Sequence, residues 1–329
     1  MSALSRPAPR LAIVVPCYNE EEVFSYCLRE LSGLLANMVS EQLVQAESFL
    51  LFVDDGSKDK TWAKIRAACS EKPNVHGLKL SRNEGHQSAM LAGLIAVEHQ
   101  SDAVVTIDAD LQDDINAIRS MVDAYRGGFD VAYGVRECRQ TDSWFKRTSA
   151  EGFYRLMAAM GVKQVFNHAD FRLLSCNALK GLLLYTERNA YVRGLVPLVG
   201  FPSTEIGYSR GLRTAGESKY PLRKMLALAV EGITSMTVTP LRVIVVLGFA
   251  ICIFSIIATI YVVFMKFFEQ TVAGWSSIVI SIFFMGGVQM LSLGIIGEYI
   301  GKIYIESKKR PRFHVESLIT SEEKIAQDR

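Results

Sequence analysis

A chain of 329 residues with a formal net charge of +2 carries too little positive charge for nucleic acid to be its main partner. Half of the residues are hydrophobic and the mean hydropathy is +0.19, yet the apolar content is uneven: residues 1–240 read as ordinary globular sequence, whereas 243–300 holds two long apolar blocks. The six cysteines show no Cys-x-x-Cys spacing and read as free thiols of a reducing compartment rather than as a disulfide set.

The apolar run Leu11–Val15 is too short for a secretory h-region and leads straight into Pro16, so the N-terminus is expected to stay in the cytoplasm. Its β-branched residues suit a parallel strand buried on both faces. A polar turn, Pro16 to Glu22, follows, and its acidic residues are expected to open a helix through Leu35, where the helix dipole favours them. Phe49–Val53 reads as a second strand ending in Asp54-Asp55-Gly56-Ser57. Asp59 or Ser57 can cap the next helix, about Lys60–Ser70. Val75–Leu80 is a third strand, Ser81–His86 a loop, Gln87–Glu98 a helix and Ala103–Ile107 a fourth strand.

Strands alternating with helices through short loops describe a doubly wound, Rossmann-like α/β sheet. Ligand loops in such sheets lie at the carboxyl ends of strands, and Pro16–Glu20, Asp54–Ser57 and Asp108–Asp114 are the polar clusters there. The first turn lacks the Gly-x-Gly-x-x-Gly of dinucleotide-binding folds, and there is no Walker A sequence. A nucleotide held at this edge must therefore be gripped by carboxylates and a metal ion. Asp108 and Asp110 are two apart, so on extended backbone they face one side and suit a divalent cation, Mg²⁺ or Mn²⁺, that also holds a diphosphate.

Beyond Ile115 the pattern is less regular. Phe129–Gly134 reads as a strand leading to Arg136 and Arg139. Asp142–Met160 can form a helix with one apolar and one basic face, either packed on the core or lying at a membrane interface. Pro221–Thr237 has the same character and reads as interfacial because it precedes the first apolar block. Val243–Met265 carries no charge, and at 1.5 Å per residue it can cross a hydrocarbon core of roughly 30 Å. Ile278–Ile300 is a second span. Basic residues (Arg223, Lys224 and Arg242 before the first span; Lys302, Lys308, Lys309, Arg310 and Arg312 after the second) place both ends in the cytoplasm by the positive-inside rule. The expected organisation is a catalytic domain over 1–220, an interfacial helix over 221–240, a two-helix hairpin over 241–301 and a basic cytoplasmic tail over 302–329, all in the plasma (inner) membrane.

The ordered motifs Val15-Pro16-x-Tyr18-Asn19-Glu20, Asp54-Asp55-Gly56-Ser57, Asp108-x-Asp110-x-Gln112-Asp113, Tyr133-Gly-Val-Arg136, Trp144-Phe-Lys-Arg-Thr148, Ala169-Asp170-Phe-Arg172, Gly216-Glu-Ser-Lys-Tyr220 and Gly297-Glu-Tyr-Ile-Gly301 resemble the GT-A glycosyltransferases of family 2. The likeness is nearest to the polyprenyl-phosphate group, which contains dolichol-phosphate mannose synthase and the bactoprenol glucosyltransferases. The resemblance implies that Pro16, Tyr18, Glu20, Asp55, Asp108 and Ala109 bind the donor nucleotide, and that Asp108, Asp110 and Gln112 hold the metal. It further implies that Arg136, Arg139, Arg172, Arg213 and Lys219 receive the acceptor phosphate, with Asp110, Asp170, Arg136 and Lys219 as the catalytic set. Asp170 is either a base or a group that orients Arg172 and the acceptor. The implied reaction is inverting transfer of a hexose, glucose from UDP-glucose first, to undecaprenyl (polyprenyl) phosphate. Other UDP-hexoses, amino sugars and GDP-mannose stay open, as does a non-processive synthase of another glycolipid. Expected partners are the UDP-hexose, the lipid phosphate, the membrane and, as an open option, further copies of the chain. A processive synthase is disfavoured because none of Trp62, Trp144 and Trp275 follows an arginine. A non-catalytic scaffold or flippase subunit is disfavoured by the intact carboxylate set and by too few spans for a lipid path.

Overall fold

The computed structural model describes residues 6–136, 168–187, 192–209, 234, 237–267 and 274–320. Contacts divide the chain into two units, one of Met1–Ala158, Lys163–Lys219 and Arg310–Arg329, the other of Ala159–Val162 and Tyr220–Lys309.

In the first unit β1 (Leu11–Cys17), β2 (Phe49–Asp54), β3 (Val75–Leu80) and β4 (Ala103–Thr106) alternate with α1 (Phe24–Ser40), α2 (Thr61–Glu71) and α3 (His86–Val97). Then come α4 (Ala117–Arg126), β5 (Val131–Arg136), β6 (His168–Ser175), α5 (Cys176–Leu183), α6 (Val192–Leu198), β7 (Ser203–Tyr208) and β8 (Val315–Ile319). The strands form one sheet in the order β7-β5-β6-β4-β1-β2-β3-β8. β1 pairs in parallel with both β2 and β4, and β2 with β3, whereas β6 runs antiparallel between β4 and β5.

The unbroken apolar run of β1 follows from burial on both faces. Leu11, Ile13 and Val15 pack with residues of α1, α2 and α4. Ala12 and Val14 point the other way and pack with α3, α5 and α6, as the two-residue period of a strand requires. At Gly93 of α3 an added Cβ would lie 2.4 Å from Val14 Cγ1, so only glycine lets the helix approach the sheet this closely. α1 extends to Ser40 rather than Leu35 because Met38 continues its buried stripe. Glu20–Glu22 form the preceding turn and leave no acidic residue in the first turn of α1. Neither Asp59 nor Ser57 caps α2, whose capping position is Lys60 with no side-chain cap bond; Asp59 instead closes the turn before the helix, its Oδ1 accepting from Thr61 N at 2.9 Å. Cys17, Cys27, Cys69 and Cys176 are free thiols.

The second unit contains α7 (Thr239–Phe267, 29 residues) and α8 (Trp275–Ser307, 33 residues). Val245, Phe249, Phe254 and Met290 are each about 70 % exposed. Tyr299 Oη donates to the carbonyl of Thr237 at 2.5 Å. Among the described residues no helix is long and apolar enough to cross a membrane; in α7, side chains from Cys252 onward are described only in part. The amphipathic stretch 142–160, and nearly all of 221–237, lie outside the described residues.

The segment read as a basic tail contains a strand that the sequence reading did not anticipate. β8 pairs antiparallel with β3, Lys79 Nζ meets Glu316 Oε1 at 2.7 Å, and Ser81 N donates to the carbonyl of His314 at 3.0 Å. Phe313 and Leu318 pack against the core. Deleting residues 310–329 therefore removes a strand of the sheet and exposes the edge of β3. The expected outcome is a fall of about 4 °C or more in the thermal midpoint of the detergent-solubilised protein. An unchanged midpoint would show β8 to be dispensable.

Candidate active site

The four parallel strands end on one edge. From β1 the chain moves outward to β2 and β3 on one side, and β4 lies on the other, so the crevice between β1 and β4 is the topological switch point at which open α/β sheets bind ligands. The loops after β1 and β4 flank it.

The loops after β1 and β2 are stitched together. Asp55 N donates to Cys17 O at 2.9 Å, Asn19 N to Ser57 Oγ at 3.0 Å, Lys58 N to Asn19 Oδ1 at 2.9 Å and Glu20 N to Thr61 Oγ1 at 2.9 Å. This leaves Tyr18 41 % exposed over the crevice edge, with Pro16 buried beneath. The Asp55 carboxylate accepts from Glu84 N at 2.8 Å and Gly85 N at 3.0 Å, which draws in the loop after β3. Burial pushes its acid above the usual range although those two bonds oppose it. Gly56 sits at φ +64°, and a Cβ there would lie 2.4 Å from the backbone carbon of Arg82, so both conformation and space demand glycine.

β4 ends at Thr106, so Asp108 and Asp110 do not lie on extended backbone. This corrects the strand-periodicity argument. Ala109 and Asp110 form a turn, Leu111 follows at φ +45°, and Ala109 is buried. Asp110 Oδ2 accepts from Gln112 Nε2 at 2.5 Å, and its Oδ1 from Gln112 N at 3.3 Å; Gln112 thus holds the Asp110 carboxylate. Burial raises the Asp108 acid, as do the charges of Asp170, Asp110 and Asp113, against the opposing effect of His86.

Because β6 returns antiparallel with Arg172 beside Thr106, its start lies at the carboxyl edge of β4. Thr106 Oγ1 donates to the Asp170 carbonyl, and the Asp170 side chain becomes a hub. Arg172 Nη2 donates to Oδ1 at 2.8 Å, Arg193 Nε to Oδ1 at 3.0 Å, Arg193 Nη2 to Oδ2 at 2.9 Å and Gln87 Nε2 to Oδ2 at 3.3 Å. His86 Nε2 lies 3.6 Å from Asp170 Oδ2 and 3.5 Å from Asp108 Oδ1. Burial by itself would raise the Asp170 acid, but the hydrogen bonds from His86 and Arg193 and the charges of Arg172 and Arg193 outweigh it, holding the acid well below the usual range. At His86 the pull of burial toward the neutral form is likewise outweighed by Asp170 and Asp108, and the imidazole is raised.

The structure thus brings Pro16, Tyr18, Glu20, Asp55, Asp108, Ala109, Asp110, Gln112 and Asp170 to one edge. Arg172 is buried, with its guanidinium against Asp170. Arg136 Nη2 lies 3.5 Å from Asp113 Oδ1 and its Nε donates to Tyr208 Oη at 3.2 Å. Arg139, Arg213 and Lys219 lie outside the described residues. Sequence reasoning missed His86, Gln87, Asp113, Arg193 and Tyr208. His86 could have been found, since it closes a loop at the carboxyl end of a strand; Arg193 carries no local signal. Among the described residues no group of three or more His, Cys, Asp and Glu side chains is disposed to hold a metal ion.

Asp170→Asn removes the charge facing a buried guanidinium, and losing one partner of such a pair costs about 3–5 kcal/mol. Because the acid of Asp170 is depressed in the folded state, its contribution is full above the unfolded value of about 3.9 and is lost as pH falls toward the folded value. Chemical unfolding of both proteins across pH should give a constant gap above about pH 5 that narrows below about pH 4. A gap independent of pH down to acid unfolding would contradict the charge-pair account.

The glycosyl transferase family 2 profile matches residues 12–183. A glycosyltransferase of Bacillus subtilis (strain 168) described as uncharacterized, YkoT, is 49 % identical over 313 residues, covering 95 % of this chain and 93 % of that one. The bactoprenol glucosyl transferase of Shigella phage SfV is 37 % identical over 314 residues, covering 94 % and 98 % respectively. A prophage bactoprenol glucosyl transferase homolog of Escherichia coli (strain K12) is 37 % identical over 313 residues, covering 92 % and 97 %. With a family match over half of the chain, relatives matched over nearly their whole length, and a carboxylate-lined crevice at the switch point of a doubly wound sheet, the chain belongs to glycosyl transferase family 2 and is a glycosyltransferase.

Proposed function

We propose that this glycosyltransferase moves glucose from UDP-glucose to a polyprenyl phosphate at a membrane surface, with inversion at the anomeric carbon. The observation that carries the reading is full-length similarity, at 37 % identity, to proteins named bactoprenol glucosyl transferase. The geometry supports it. In this reading Tyr18 and the loop that Asp55 braces would receive the nucleoside, and the Asp108–Gln112 turn would receive the diphosphate.

The residues present fit a divalent cation. Asp108 and Asp110 are hard oxygen donors, no salt bridge reaches Asp110 among the described residues, and Asp108 is raised first by burial and then by the charges of Asp170, Asp110 and Asp113, which a cation would offset. Mg²⁺ or Mn²⁺ bound by Asp108 and Asp110 supplies Lewis-acid neutralisation of the diphosphate leaving group. Gln112 orients Asp110 for that task. The acceptor needs no strong base, since a phosphate monoester is mostly dianionic near neutral pH, its second pKa being about 6. What the chain must supply is orientation and positive charge beside a second anion. A single displacement from the far face of the sugar then yields the inverted, β-linked product.

The acceptor's apolar tail calls for a membrane, and this reading takes the apolar sequence blocks 243–265 and 278–300 as its spans. Val243–Met265 holds no charged residue and extends over about 35 Å at 1.5 Å per residue, enough for a hydrocarbon core of roughly 30 Å. The basic residues flanking the pair favour an inner-membrane hairpin with both ends, and the catalytic domain, on the cytoplasmic side.

A screen of nucleotide sugars against polyprenyl phosphate should show UDP release and lipid-linked product with UDP-glucose first, and no product after chelation of divalent cations. Product from GDP-mannose alone would overturn the donor assignment. Asp110→Asn should reduce transfer by at least about a hundredfold, comparable to removal of one preorganised charge at a reacting centre. The variant protein should remain folded by circular dichroism. Near-normal turnover of that variant in saturating Mn²⁺ would remove Asp110 from the metal site.

A further inference from the structure

We propose that Arg193 is a phosphate-binding residue of the transfer site and that Asp170 is the positioning residue that holds it there. The inference rests on the reading of this edge as a site for phosphate-bearing ligands.

Two guanidiniums meet Asp170, and they differ in surroundings. Arg172, from β6, has a side chain only 1 % exposed, whereas that of Arg193, from α6, is 39 % exposed. Arg172 thus serves the interior, and Arg193 is the guanidinium presented at the surface of the carboxyl edge. Its position is set by a two-pronged contact, with Nε on one oxygen of Asp170 and Nη2 on the other, at 3.0 and 2.9 Å. Such a fork fixes the plane of a guanidinium, which a lysine cannot reproduce. The same Asp170 oxygens also accept from Arg172 and Gln87. A carboxylate accepting four hydrogen bonds has its lone-pair directions occupied, so it suits an anchor better than a proton acceptor.

The placement ties Arg193 to the donor turn. His86 Nε2 is 3.5 Å from Asp108 Oδ1 and 3.6 Å from Asp170 Oδ2, so one imidazole separates the carboxylate of the proposed metal turn from the carboxylate that clamps Arg193. Under the proposed reaction two anions, a diphosphate and an incoming phosphate, must approach each other at this edge. Their mutual repulsion calls for fixed positive charge between them, and a preorganised guanidinium costs little reorganisation when they bind. The chemistry recognised is a phosphate oxygen, available from the donor diphosphate or from the acceptor monophosphate.

The test uses the full-length chain in detergent, with UDP plus Mn²⁺ and a short-chain prenyl phosphate as separate probes, each measured by calorimetry without turnover. Arg193→Ala should weaken one or both by about tenfold or more, the loss expected for a charge-assisted hydrogen bond. Arg193→Lys should fall between, because charge returns without the fork. Weakening confined to UDP assigns the residue to the donor diphosphate, and weakening confined to the prenyl phosphate assigns it to the acceptor. A second measurement needs no variant: phenylglyoxal modification of the wild type, mapped by mass spectrometry, should be blocked at Arg193 by whichever probe it binds. Wild-type affinities for both probes in the Arg193 variants, or no protection of Arg193 by either probe, would overturn the proposal. Loss of phosphate binding in a protein that transfers no sugar to lipid phosphate would instead sink the proposed reaction and leave this assignment standing.

Discussion

The carboxyl edge of the sheet is organised around one buried negative charge. Asp170 cannot be buried as an anion unless it is paired and hydrogen-bonded, and its partners come from three separate elements: Gln87 and His86 from the start of α3, Arg172 from β6 and Arg193 from α6. Meeting that requirement brings three segments, distant in sequence, to the mouth of the β1–β4 crevice. Folding of this edge and assembly of the site are therefore one event. The antiparallel strand β6 is what makes the arrangement possible, because only a strand that starts at the carboxyl edge and runs away from it can begin beside the end of β4.

The neighbouring donor side is built differently. Fold families that bind phosphates on glycine-rich turns use backbone N–H groups and a helix dipole. Here the comparable backbone N–H groups of Glu84 and Gly85 are taken by Asp55, and the crevice is lined by carboxylates. Such a surface repels a diphosphate on its own. It becomes a binding surface only together with cations, which in this reading are a divalent metal at the Asp108–Asp110 turn and the guanidinium of Arg193. The raised acid of Asp108 and the depressed acid of Asp170 express that division: burial and neighbouring carboxylates outweigh His86 at Asp108, whereas the bonds from His86 and Arg193 and the charges of Arg172 and Arg193 outweigh burial at Asp170.

The second unit presents another physical demand. Where their side chains are described, helices α7 and α8 expose many large apolar groups, among them Val245, Phe249, Phe254 and Met290. Beyond α8 the chain returns to the sheet of the first unit as β8. The strand also backs the Ser81–Gly85 loop that supports Asp55.

Much of the fold could be read from the chain alone. Short β-branched runs, each followed by a polar loop and an amphipathic helix, specify a doubly wound sheet, since a strand with no polar face must be covered twice. The donor loops were legible for the same reason: Pro16–Glu20, Asp54–Ser57 and Asp108–Asp114 follow strand ends directly, and parallel topology puts all strand ends on one edge. The role of Asp170 as a hub was not legible. Its pairing with Arg172, two residues away, was within reach of the sequence, but Arg193 and Gln87 lie at separations of 23 and 83 residues, and no local periodicity encodes contacts across such distances. Nor was β8, because five residues with exposed polar members look like a tail until a free strand edge is known to await them. The Asp108–Asp110 pair stands between these cases: residue type and spacing announced carboxylate chemistry, but the turn that shapes it depends on where β4 stops. Local pattern determines which elements form because backbone geometry and burial are read residue by residue. The electrostatic network is decided only by tertiary structure, because the cost of burying a charge is settled by whatever the completed fold brings beside it.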